Sequence, residues 1–102
     1  MKTLAEIRAQ LVAGQFEFSR HALRRAVERN ISEAEIQQAG RRAQIIEDSA
    51  DDKYAPSCLL LGFTEAGRPL HLQVSRADAE LIRIITLYEP DPAKWYNYVE
   101  RR

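Results

Sequence analysis

The sequence is poor in the residues that declare a chemistry at once. In 102 residues it holds one cysteine, Cys58, and two histidines, His21 and His71. A single thiol excludes an intramolecular disulfide, and zinc needs three or four ligands that these scattered donors do not supply, so neither a metal nor any other cofactor is expected. Cys58 stands among leucines, the setting of a small buried hydrophobe rather than of a reactive thiolate. A glycine-rich phosphate loop, a G-x-S-x-G elbow and an H-E-x-x-H helix are all missing. No apolar run approaches the ~20 residues of a membrane span. Glu6, Arg8 and Gln10 interrupt the N-terminal stretch before an apolar secretion segment can develop, so a cytoplasmic location is expected.

Net charge is lacking as well. Lys and Arg total 15 and so do Asp and Glu, which leaves no global field to draw the chain to nucleic acid or anionic lipid. Any such affinity must be local. Arg20, Arg24, Arg25, Arg29, Arg41 and Arg42 cluster as a candidate anion site, and Glu47, Asp48, Asp51 and Asp52 follow as a candidate loop.

What is present is an ordinary globular mixture, 45% hydrophobic and 29% charged, at a length suited to one core; a single domain over 1–102 is expected. Leu4, Ile7, Leu11 and Val12 recur at helical spacing before Gly14, which predicts a helix over 3–13. Gln15 to Phe18 reads as a connector. Ser19 is an N-cap for a second helix over 20–29, stopped by Asn30, and Ser32-Glu33-Ala34-Glu35 spells a capping box for a third over 33–42. The period then changes. Ile45-Ile46, 57–63, 70–74 and 81–88 read as four strands joined by turns at 51–53, 65–69 and 76–78, and Asp91-Pro92 as the start of a last helical turn carrying Trp95. Helices first and strands second predicts an α+β domain, the N-terminal helices packed on one face of a four-stranded, mainly antiparallel sheet.

At about 100° per residue, Ala22, Leu23, Ala26 and Val27 share one side of the second helix, while His21, Arg24, Arg25 and Glu28 share the other. An imidazole beside a guanidinium can move protons and fork onto phosphate oxygens. The plainer reading is a solvated helix face. Strand alternation sends His71 and Gln73 away from Leu70, Leu72 and Val74, towards the face the helices leave open, or else into a cross-strand hydrogen bond. Thr86 and Tyr88 share a face of the last strand and reach His71 if the register allows.

Phe18-Ser19-Arg20-His21-Ala22-Leu23-Arg24-Arg25, followed by Glu28-Arg29-Asn30-Ile31-Ser32, resembles a bacterial family catalogued as domain of unknown function 4258. Pro56 to Leu60, Gly67 to Leu72 and Ile85 to Pro92, with Trp95, are similar to its remaining blocks, so the likeness runs over about 16–95 and leaves out the first helix. The resemblance implies a RelE-like/barnase-like fold. It also implies the toxin half of a toxin–antitoxin pair, its partner a zinc-finger antitoxin. The family's polar positions fall on His21, Arg25, Arg29, His71, Thr86 and Tyr88.

The expectation is then a metal-independent endoribonuclease acting on single-stranded RNA. His21 and His71 exchange protons, Arg25 holds the phosphate and Tyr88 stacks or donates, with Arg24, Arg29 and Thr86 as further RNA contacts. A non-catalytic protein-interaction module of RelE-like shape is the alternative. A helix-turn-helix DNA binder ranks last, because Glu33, Glu35 and Gln37 occupy the helix end that would face the bases.

Overall fold

The computed structural model describes residues 1–49 and 55–102, so the expected turn at 51–53, with Asp51 and Asp52, lies outside the described residues. Three helices come first: α1 (Leu4–Val12), α2 (Arg20–Glu28) and α3 (Glu33–Gly40). Each begins where a side chain satisfies an orphan amide. Thr3 and Ser19 accept from Glu6 and Ala22, and Ser32 with Glu35 closes the capping box in both directions. Each of α1 and α2 stops near a left-handed residue, Gly14 (φ 74°) and Asn30 (φ 52°).

A mixed five-stranded sheet follows, built from β1 (Phe16–Phe18), β2 (Gln44–Ser49), β3 (Ser57–Phe63), β4 (Pro69–Ser75) and β5 (Ile82–Tyr88) in the order β1-β5-β4-β3-β2. Pairings β2–β3, β3–β4 and β4–β5 are antiparallel, as short connections favour. The fifth strand corrects the expected four. Phe16–Phe18, read as a connector, pairs in parallel with β5 at the sheet edge. Three residues are too few to show a period, and the partner lies far along the chain.

Two further departures concern the polar segments. Glu47 and Asp48 lie within β2 rather than in a loop, because a bulge between Ile45 and Glu47 keeps Ile45 against the core while Glu47 faces the other way. Asp91-Pro92 opens a turn and no helix. Beyond it Trp95–Tyr96 (β6) pairs with Glu100–Arg101 (β7) as a two-stranded hairpin.

The core lies between the helices and one face of the sheet. Ile7, Leu11, Ala22, Ala26, Ile36 and Ala39 meet Leu60, Leu70, Leu72, Val74, Ile84 and Leu87, all buried. Two glycines set the distance between layers. A Cβ on Gly62 would stand 2.2 Å from the Ala39 carbonyl oxygen, so α3 touches β3 through bare backbone, and one on Gly40 would stand 2.4 Å from Leu11 Cβ.

The second helix buries less than its pattern implies. Ala22 and Ala26 are buried, but Leu23 is 54% and Val27 75% exposed. Both alanines let α2 press closely onto β5 and the edge strand β1. Among the described residues the sheet has no strand beyond β1 for the larger side chains to cover.

Candidate functional site

On β4 the alternation works as expected: Leu70, Leu72 and Val74 face the helices, and His71 and Gln73 face away. The register with β5 places Tyr88 directly across from His71 and Thr86 across from Gln73. His71 does not reach an open surface, however. It is 0% exposed, because the β6–β7 hairpin folds over it.

That cover is built from aromatic residues and an unusual turn. Trp95 and the imidazole meet edge to face, ring centroids 4.4 Å apart, and the Arg101 guanidinium lies over the indole, 4.7 Å from its centroid. Asn97 and Tyr98 have φ of 51° and 63°, and the Val99 amide donates to the Tyr96 carbonyl at 2.9 Å, the geometry of a type I′ turn. Tyrosine at the second of these positions is costly. Its carbonyl, turned inward, meets His71 Nε2 at 2.7 Å.

The bond fixes the tautomer. A carbonyl only accepts, so Nε2 carries the hydrogen, and in the neutral ring Nδ1 is left as acceptor for the Tyr88 hydroxyl at 3.2 Å. Burial holds the imidazole below its ordinary value, against the pull of the Tyr98 carbonyl and of Glu47, and burial pushes the Tyr88 phenol up. A hydroxyl, a neutral base and a fixed carbonyl thus stand in line. Glu47 reaches the same face and pairs with Arg101 through two contacts, 2.7 and 2.9 Å, tying the hairpin to β2.

The depressed imidazole has a consequence for stability. Below the ordinary value of 6.5 the unfolded chain takes a proton that folded His71 refuses, so folding loses free energy as pH falls from 6.5 towards the lowered value. The thermal midpoint should be level above about pH 6.5 and decline below it. Glu35 and Glu47, both held below 4.5, extend the loss further into acid. A midpoint that rose on acidification through the first window would contradict the buried neutral ring.

In front of Tyr88 opens a cleft of about 870 Å³. Arg29, Arg68, Lys94, Arg101 and Arg102 line it, with Tyr88 and Trp95 as aromatic surfaces. Its acidic members are Glu89 and Asp91. Arg68 is already committed: it bonds Glu89 at 2.7 Å, Glu35 at 3.0 Å and the carbonyls of Arg29 and Asn30 at 2.9 Å, which staples β4 to the ends of α2 and α3. Arg29 donates to the Leu87 carbonyl at 2.6 Å. Among the described residues Lys94 has no ion-pair partner, so its ammonium is open to a ligand.

The residues expected to act together therefore fall into two groups. His71, Tyr88 and Arg29 meet at the cleft or directly behind it. Thr86 shares the sheet face without lining the cleft. His21 and Arg24 are exposed on α2, across the sheet from His71, and Arg25 is engaged with Glu28 at 2.8 Å. Sequence reasoning passed over Glu47, Arg68, Lys94, Arg101 and Tyr98. For Arg68 the one signal was its place in the Gly67-Arg68-Pro69 block. Cys58 is buried, its thiol pushed up to about 11 by burial, which suits the packing role expected of it.

No described helix is long and apolar enough to cross a membrane. A family model described as Domain of unknown function (DUF4258) matches residues 18–89. No curated protein and no solved structure matches.

Proposed function

The chain belongs to the family described as Domain of unknown function (DUF4258), whose model covers more than half of it, and within that family we propose that the Tyr88 cleft binds and cleaves single-stranded RNA without a metal. The observation that carries this reading is Tyr88, which lines a cleft with five cationic side chains and whose hydroxyl is hydrogen-bonded to His71 Nδ1 at 3.2 Å. Cations track a phosphodiester backbone and aromatic faces stack unpaired bases, which is how single strands are held with little sequence preference. The chain's zero net charge is no obstacle, since the cleft lining holds five cationic side chains against Glu89 and Asp91.

The proton path follows from the tautomer. The ribose 2′-hydroxyl gives its proton to the Tyr88 oxygen as the phenolic proton passes to His71 Nδ1. The 2′-oxygen attacks phosphorus, and Arg29, Lys94 and Arg101 offset charge on the phosphorane oxygens. The bond to the 5′-oxygen breaks, and that oxygen takes back the proton through the same phenol. A buried imidazolium is disfavoured, which drives the return. Of the four residues expected to carry the chemistry, this assignment keeps His71 and Tyr88 and leaves out His21 and Arg25. The RelE-like/barnase-like shape, a cytoplasmic setting and a toxin role beside a zinc-finger antitoxin are parts of the same proposal.

The test is incubation of the protein with a single-stranded RNA oligonucleotide in a chelator. Products ending in a 2′,3′-cyclic phosphate are expected, with no cut where the 2′-hydroxyl is replaced by hydrogen. Intact RNA, or cleavage that needs an added divalent ion, would sink the reading.

A further inference from the structure

We propose that the outer flank of α2 is a docking surface for an acidic amphipathic helix of a protein partner. Leu23 and Val27, one turn apart, are 54% and 75% exposed. Neighbouring apolar side chains left open in this way mark an interaction surface more often than isolated ones do. Arg20 and Arg24 stand beside them on the helix, at about 100° per residue, and both are exposed. Among the described residues neither has an ion-pair partner, whereas Arg25 is taken up by Glu28.

The pattern selects its occupant. An apolar pair at i,i+4 fits the hydrophobic stripe of a facing helix, and the two arginines match carboxylates on the flank of that stripe. A second copy of this chain would set Arg20 and Arg24 against their own equivalents or close to them. A nucleic acid would use the arginines but would gain little from Leu23 and Val27. None of these four residues lines the Tyr88 cleft, so the surface stands or falls apart from RNA cleavage.

Calorimetric titration with a synthetic amphipathic helical peptide tests it, the peptide carrying leucines at helical spacing flanked by glutamates. Saturable binding is expected, weaker as salt rises, and reduced about thirtyfold by Val27→Asp, a hot-spot-sized loss. Val27 is exposed enough that this variant should keep the parent's circular dichroism and thermal midpoint. Arg20→Glu with Arg24→Glu should reverse the preference towards a lysine-flanked peptide. Several results would overturn the proposal: no saturable binding, equal binding of the lysine-flanked peptide by the parent, or an unaffected Val27→Asp variant. A free chain that sediments as a dimer and is split by Val27→Asp would assign the face to self-association instead. An RNA oligonucleotide whose binding is lost in that variant would assign it to nucleic acid.

Discussion

Tyr88→Phe should lower the rate of RNA cleavage by about 10²–10⁴-fold, the usual worth of a positioned proton-transfer group. Phenylalanine keeps the ring in place and removes only the oxygen bonded to His71 Nδ1. The stacking surface and the cleft's cations remain, so RNA affinity should change little while single-turnover cleavage collapses, a loss realised in the transition state alone. His71 is left with an unfilled acceptor but keeps its bond to the Tyr98 carbonyl at 2.7 Å. The variant should therefore fold. Cleavage at the parent rate would place the chemistry elsewhere; a matched loss of affinity and rate would make Tyr88 a binding residue only.

Of the four glycines, Gly62 should tolerate alanine least. The new Cβ would fall 2.2 Å from the Ala39 carbonyl oxygen and 2.8 Å from its carbon. Neither is the tip of a flexible side chain, so α3 or β3 must move as a body. Overpacking of this kind costs about 3 kcal/mol, which in a domain of ~100 residues corresponds to a fall in thermal midpoint of roughly 12–20 °C. Gly67→Ala separates this effect from backbone conformation. Its φ is 87°, but nothing lies within 4 Å of its Cβ, so only the conformational penalty of about 1 kcal/mol applies. Similar midpoints for both variants would show that the close contact between α3 and β3 can relax.

The helices and the long strands were legible because each carries its own signal. Ser19, Asn30 and the Ser32–Glu35 box mark ends, and alternation along β4 was enough to set His71 on the face away from the core. Their contacts were less legible. Tyr88 opposite His71 stayed conditional on the β4–β5 register, which residues 76–81 and a bulge at Gln73/Val74 set, and Glu47 with Arg101 joins positions 54 apart and leaves no local trace. The covering of His71 was hidden for the same reason. Trp95 and Tyr98 belong to a hairpin with two residues per strand, too short for any period, and Tyr98 occupies a turn position where glycine would be the usual clue. Leu23 and Val27 misled differently. Helical spacing reports which side chains share a side, not how far the sheet beneath extends, and here it stops at β1.

The position of β1 also sets an order of assembly. Strands β3, β4 and β5 are sequential neighbours and can zip together from their turns. Phe16–Phe18 must instead be brought to Ile82–Ile84 from the opposite part of the chain, closing a long loop for three residues of pairing. Closure of that kind is a late event on the way in and an early one on the way out. Native-state hydrogen exchange should find the amides of Phe16–Phe18 opening at lower free energy than those of β4, as a separable cooperative unit at the sheet edge.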